Sequence, residues 1–262
     1  MARIYYVGDW AIQYGPFYAE SPFHHAVKGT EIVNYGKWLK EAIESSGEHS
    51  VTSVPSWDFY MLGPGEYESI LDQYDALIFS DVEAQNFQLA PSFFKREEFG
   101  QRVITFPDRI RLTKEAVSRG LGVLFLGGWQ SFTGHRGMGG WGRCGLKELL
   151  PVQCLDYEDL IESTEGYTAD VLLPMHPTIS GLDFASLPPI LGYNEVKPRE
   201  DALVVAQWAG TGHPLLAVGQ YGEGRTAAFT SDPAPHWGLN FVFWKNYNSF
   251  WKNLIDWLVK RK

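Results

Sequence analysis

Three short runs in this chain carry almost no polar side chain: Ile4-Tyr-Tyr-Val7, Ala76-Leu-Ile-Phe79 and Val123-Leu-Phe-Leu126. A fourth, Ser50-Val-Thr-Ser-Val54, alternates and stops at Pro55. Strands without a polar face have to be covered on both sides, which is the condition of a parallel sheet with helices above and below. The segments between them have helical spacing. Ile32, Tyr35, Leu39, Ala42 and Ile43 fall on one helix face that Gly47 ends, a weaker helix lies near Glu66–Leu71, and Leu112–Arg119 is closed by Gly120. The order is β-α-β-α-β-α-β, with right-handed crossovers expected. Three stretches, 10–30, 85–110 and the glycine-rich 127–145, read as long loops, and Leu146–Leu150 forms a helical turn or two before Pro151.

The last third changes character. Leu203–Gln207, Leu215–Gly219 and Thr226–Thr230 are strands in quick succession, the last two joined by the turn Gln220-Tyr-Gly-Glu-Gly-Arg225. They predict an antiparallel extension of the sheet. Phe243, Tyr247, Phe250, Trp251, Leu254 and Leu258 form the apolar stripe of a closing helix. The fold class is therefore α/β: a flavodoxin-like, doubly wound, mainly parallel sheet with a C-terminal antiparallel extension, in a single domain over 1–262. The length suits one such domain, and no repeat or linker interrupts it.

A net charge of −9 argues against nucleic acid or an anionic membrane as partner. The one basic cluster, Lys260-Arg261-Lys262, reads as a solvated helix end. Two cysteines, Cys144 and Cys154, make no disulfide framework. No apolar run reaches the ~20 residues of a membrane helix, and residues 1–10 read as a strand rather than a leader. A cytoplasmic protein is the expectation.

In an open parallel sheet, ligands bind beyond the carboxyl ends of the strands. Those ends deliver Asp9 and Trp10, then Asp81, then Gly127, Gly128, Trp129 and Gln130, then Asp232, His236 and Trp237. Each also has a structural reading: the acids can cap helix or loop ends, Gly127-Gly128 can serve a tight turn, and His236 can hold a loop. Ser131 and Cys144 are the candidate nucleophiles. Arg143 and a following helix N-terminus would lower the thiol pKa of Cys144, while Cys154 reads as a buried apolar residue. His24-His25 lacks a third ligand at useful spacing, so no metal and no cofactor are assigned. The turns at Met175-His-Pro177 and Gly212-His-Pro214 read as structural.

Gly122-Val-Leu-Phe-Leu-Gly-Gly-Trp-Gln-Ser-Phe132 has the outline of a strand, nucleophile elbow and helix. With Tyr6-Val-Gly-Asp9, Tyr74–Asp81, Leu149-Leu-Pro-Val152, Leu191-Gly-Tyr-Asn194, Gly222–Asp232 and Pro235-His-Trp237, it resembles the putative glutamine amidotransferase family, a class I amidotransferase-like group. The resemblance spans nearly the whole chain. Class I amidotransferases carry Cys-Leu-Gly-His-Gln at this elbow. Gly128 and Gln130 match, Trp129 replaces the His, and Leu126 replaces the nucleophilic Cys. The resemblance places His236 near the triad His, and the His-x-Glu acid would fall at Gly238. The residues support two readings. One is a diverged enzyme acting on an amide or acyl group of a small molecule. It would use His236 as base, with Ser131, Cys144 or a water activated by Asp81 or Asp232 as nucleophile, and backbone N–H groups near Gly128-Trp129 as an oxyanion hole. The other is a non-catalytic site, in which Trp10, Trp129, Trp141 and Trp237 stack on a carbohydrate-like ligand, or a subunit serving a partner enzyme. The oligomeric state, homo-oligomer included, stays open.

Overall fold

The computed structural model describes residues 1–260 except Pro16, Pro22, Phe23, Lys28 and Ala90; the side chains of 17–21, 24–27, Pro64 and Ser92 are likewise outside the described set. Arg261 and Lys262 of the basic cluster, and the side chains of His24-His25, therefore lie outside it.

Eight strands form the central sheet: β1 Ala2–Gly8, β2 His49–Val54, β3 Ala76–Ser80, β4 Gly122–Leu126, β5 Ala169–Val171, β6 Leu203–Trp208, β7 Pro214–Tyr221 and β8 Gly224–Phe229. Their order across the sheet is β2-β1-β3-β4-β8-β7-β6-β5. The first five in this order run parallel, with Ile4 beside Val51 and Ala76, Ala76 beside Gly122, and Leu126 beside Phe229. The remaining pairs are antiparallel. The antiparallel extension thus exists as β7, β6 and β5, while β8 is itself a central parallel strand.

Pleating sorts the apolar strands into two cores. Ile4, Tyr6, Ile78, Leu124, Leu126 and Phe229 face one cluster, closed by Leu39, Ala42 and Ile43 of α1 (Lys37–Glu44) and by α5 (Tyr247–Leu258). Tyr5, Val7, Leu77, Phe79, Val123 and Phe125 face the other. There the covers are Phe59 of α2 (Ser56–Met61), Tyr67 of α3 (Pro64–Gln73), and Ala116 and Val117 of α4 (Arg109–Ser118). Period-2 alternation in strands buried on both faces is what makes the two cores equally apolar.

Three expectations change. The region 10–30 is not one loop: Trp10–Tyr14 pairs antiparallel with Thr30–Asn34, Ile12 opposite Ile32, and Phe17–Ser21 pairs with His24–Val27. The helix accordingly starts at Lys37, not Ile32, because the backbone groups of 30–34 are used across this ribbon. Phe243 precedes the closing helix and is 74% exposed, whereas Tyr247, Phe250, Trp251, Leu254 and Leu258 are buried as the stripe requires.

Candidate active site

Four adjacent parallel strands, β1, β3, β4 and β8, open their carboxyl ends onto one cavity of ≈ 770 Å³. Asp9 and Trp10 lie just past β1, Asp81 past β3, Trp129 and Gln130 past β4, and Asp232 and His236 past β8; all line it, with Tyr35 and Leu191. Asp9 and Asp81 hold left-handed backbone, φ 55 and φ 50, a conformation aspartate tolerates better than most residues. Gly8, before Asp9, has φ +111, and a Cβ there would sit 1.6 Å from the Ser80 carbonyl oxygen. Only glycine lets β1 and β3 end this close together.

Gly128 is the steric centre. A Cβ on it would lie 2.2 Å from Asp81 Oδ1 and 2.9 Å from Asp232 Oδ1. The elbow of β4 carries no side chain because carboxylates from the strands on either side lean over it. Asn194 fixes this backbone. Its Oδ1 accepts from Gly128 N–H at 2.9 Å, and its Nδ2 donates to the Gly128 carbonyl at 3.1 Å and to Asp159 Oδ1 at 2.9 Å. Asp159 in turn accepts from the N–H groups of Thr133 and Gly134, both at 2.9 Å. Gly127 N–H is taken by the Phe229 and Ser231 carbonyls, and Gln130 N–H by Asp81 Oδ1 at 2.8 Å.

The acids are crowded and poorly solvated. Burial, then the charge of Asp232, raises Asp9 to about 7, despite hydrogen bonds donated by Tyr6 and by Ser80 at 2.9 Å. Burial and the charges of Asp232 and Asp9 push Asp81 well above the carboxylate range. Burial likewise raises Asp232, although His236 opposes it. Asp232 Oδ2 lies 2.7 Å from His236 Nδ1 and accepts the Trp237 N–H at 3.3 Å. His236 Nε2 is 3.7 Å from Glu162 Oε1, outside hydrogen-bond range. Burial disfavours the imidazolium, but Asp232, Asp81 and Glu162 outweigh it and raise the His236 pKa. The imidazole stacks on Trp237 (centroids 5.2 Å) and meets the edge of Trp129 (5.7 Å). Both indole N–H groups donate to Glu162 Oε1, at 2.7 Å and 2.9 Å.

The structure brings together Asp9, Trp10, Asp81, Trp129, Gln130, Asp232 and His236, with Gly127, Gly128 and Trp237 directly beneath or beside them. It does not bring in the two nucleophile candidates. Ser131 is fully buried, and its Oγ accepts the Asp81 N–H at 3.1 Å. Cys144 packs at the edge of the α4-side core, its thiol 3.5 Å from the Trp141 carbonyl. Burial raises its pKa rather than the expected lowering, and the next residues, Gly145–Glu148, form a 3-10 turn instead of a helix. Cys154 is raised by burial too. Trp141 is core, donating its indole N–H to the Val82 carbonyl at 2.7 Å. Leu126 is fully buried in the α1–α5 core, and the elbow does not lead into a helix. The N–H of Gly128, expected to help form an oxyanion hole, is already used by Asn194. Among the described residues no group of His, Cys, Asp or Glu could hold a metal ion.

Glu162, Asn194 and Asp159 escape the sequence reading. Glu162 sits on Leu160–Tyr167, whose partner is Ile190–Asn194. This ribbon is separate from the sheet, and nothing in its local pattern points to the cavity. Asn194 lies inside Leu191-Gly-Tyr-Asn194, a stretch that contributes to the family resemblance but carries no local sign of a role in the site. At Gly238 a Cβ would come within 2.8 Å of the Asp232 carbonyl oxygen, so an acid there is sterically disfavoured and Asp232 partners the histidine instead.

The geometry makes two predictions. Leu126→Cys places a thiol in the core, not the cavity. We expect no alkylation by a glutamine-analogue diazo-ketone in intact mass spectra, no ammonia from glutamine, and a stability loss of about 1–3 kcal/mol; a specific adduct on residue 126 would contradict the geometry. The second concerns pH. Asp9, Asp81, Asp232 and His236 all have raised folded-state pKa values, so these four groups hold more protons in the native state than in the unfolded chain, and the stability they contribute falls as pH rises through the raised values. Denaturant midpoints are expected to be higher at pH 6 than at pH 8.5, with the slope reduced in Asp81→Asn; a rising or flat profile for the wild-type protein would count against the crowding.

No helix among the described residues is long and apolar enough to cross a membrane. None of the curated proteins matches the chain. Among solved structures, a cytoplasmic protein of Salmonella typhimurium is 29% identical, with a TM-score of 0.84 over 97% of this chain and 98% of that one. A second cytoplasmic protein, from Salmonella typhimurium LT2, is 28% identical, with a TM-score of 0.84 over 98% and 99%. A ThuA-like protein of Parabacteroides merdae shares the fold alone, at 10% identity and a TM-score of 0.51 over 98% of this chain and 89% of that one. The family model described as putative glutamine amidotransferase matches residues 23–260, and the chain belongs to that family.

Proposed function

We propose that the cavity is the site of a thiol-independent acyl hydrolysis or transfer on a small molecule, with the Asp232–His236 pair as general base. The observation that carries this reading is the 2.7 Å contact between Asp232 Oδ2 and His236 Nδ1. It orients the ring and supports the imidazolium that forms when Nε2 accepts a proton. The acid facing Nε2, Glu162, stands 3.7 Å away, beyond hydrogen-bond range, and among the described residues Nε2 is left to take a water or hydroxyl. The step is conventional: Nε2 removes a proton as the oxygen forms a bond to the acyl carbon. The tetrahedral adduct then collapses, the bond to the leaving amine or alcohol breaks, and the imidazolium returns its proton to that leaving group. Glutamine hydrolysis through a thioester is not part of the proposal, since Leu126 and Cys144 place no thiol in the cavity.

The occupied Gly128 N–H favours a second reading, a binding module, because acyl transfer needs a free oxyanion donor. A panel of p-nitrophenyl esters and p-nitroanilides, with glutamine and ammonia detection beside it, separates the two. Turnover is expected to survive thiol alkylation. It rises with pH through an apparent pKa above 6.5, because the base form of a histidine with a raised pKa fills only there. Asp232→Asn is expected to lose about 10²–10⁴-fold in kcat/KM. Glu162→Gln removes a charge that raises the His236 pKa, so its profile shifts to lower pH. No turnover of any panel member would overturn the catalytic reading and leave the binding module.

A further inference from the structure

The cavity gathers negative charge and offers little to balance it. Asp9, Asp81 and Asp232 form its floor, and Glu162 stands beside His236. Among the described residues no lysine or arginine lines it. Among the described lining residues only His236 can become cationic, and Asp232 Oδ2 already holds it at 2.7 Å. Two phenols stand by the acids: the Tyr35 hydroxyl accepts from Gln13, and the Tyr6 hydroxyl donates to Asp9.

Asp232 Oδ1 is the odd atom. The side chain is 6% exposed, and among the described residues this buried oxygen has no hydrogen-bond partner. A buried carboxylate oxygen left unpaired is costly unless something else satisfies it. A Cβ built on Gly128 would lie 2.9 Å from this oxygen and 2.2 Å from Asp81 Oδ1, so the two carboxylates converge over the Gly128 backbone. Around this acidic floor stand Trp10, Tyr35 and Trp129. Trp129 is 45% exposed, with its indole N–H already committed to Glu162. Carboxylates below and aromatic faces beside are the two elements that recognise an alkylammonium ion, by charge-assisted hydrogen bonds and by cation–π attraction.

We propose that the cavity takes a ligand bearing a cationic amine, its ammonium seated between Asp81 and Asp232 above Gly128 and its carbon skeleton against Trp10, Tyr35 and Trp129. This rests on the cavity being the ligand site but not on its being catalytic. In the context of the acyl reaction it selects amino-bearing amides or esters over neutral ones. Burial and mutual repulsion raise Asp9, Asp81 and Asp232, and a cation beside them favours their charged forms, so amine binding is accompanied by proton release.

The test is calorimetric and needs no turnover. 2-Phenylethylamine and its neutral counterpart 2-phenylethanol are titrated into the full chain at pH 7, in two amine-free buffers of different ionisation enthalpy, with magnesium chloride titrated separately. The amine is expected to bind at least about tenfold more tightly than the alcohol, with net proton release. Asp81→Asn keeps an acceptor for Gln130 N–H. It is expected to weaken the amine at least about tenfold more than it weakens the alcohol, and Asp9→Asn serves as a second variant should Asp81→Asn unfold. Equal affinities for amine and alcohol, or no proton release, would overturn the proposal. So would magnesium binding more tightly than the amine, which would make the acids a metal site. Amine selectivity without turnover of any ester or anilide would sink the catalytic reading and spare this one. Turnover of neutral esters without amine selectivity would do the reverse.

Discussion

Everything at the functional end of this molecule depends on the absence of a side chain at Gly128. Strand β4 lies between β3 and β8, and the acids at the ends of those neighbours, Asp81 and Asp232, fill the space a Cβ would need. The elbow is therefore not an empty nucleophile position. It is a backbone floor over which two carboxylates meet, with a third, Asp9, one strand further on. Asn194 holds the floor by bonding both the N–H and the carbonyl of Gly128, and Asp159 holds Asn194. An amide anchored on both the N–H and the carbonyl of one residue leaves that backbone little freedom, and at the low effective dielectric of a buried site a given displacement of one acid changes its repulsion with the next by more energy than it would in water.

Crowding and burial raise all three carboxyl groups. One carboxylate, Asp232, commits an oxygen to His236 and thereby orients it. Glu162, held by two tryptophan N–H groups, adds charge at the far side of the ring without closing a hydrogen bond. A family whose name implies a thiol nucleophile is represented here by an arrangement of carboxylates and one imidazole. That arrangement can move a proton or hold a cation, while Cys144 and Cys154 lie in or against a core.

Much of this is legible in the residues. The apolar strands and the helix-spaced segments between them suffice for the parallel half of the sheet, since a strand buried on both faces cannot hide its composition. The rule that ligands sit at strand carboxyl ends brings Asp9, Asp81, Asp232, His236 and Trp129 together on sequence grounds alone. Features that depend on long-range contact are not legible. The ribbon of 10–14 and 30–34 is hidden because Ile32 and Tyr35 happen to continue the spacing of α1. Glu162 and Asn194 reach His236 and the Gly128 backbone from a separate two-stranded ribbon whose docking no local pattern encodes. Cys144 reads as activated because Arg143 precedes it, yet packing against Trp141 and its core neighbours, not sequence proximity to a charge, sets its pKa.

The central claim is electrostatic: His236 is held by Asp232 and kept easier to protonate than a free histidine by the surrounding carboxylates. A side-chain NMR titration with ¹⁵N-labelled histidine, His236 assigned by comparison with His236→Gln, reads this directly. The account predicts a midpoint above 6.5, with Nδ1 retaining its proton and Nε2 titrating. A midpoint at or below 6.5, or a neutral form protonated at Nε2, would contradict it, because the ring would then be neither oriented by Asp232 nor free to act as a base toward the cavity.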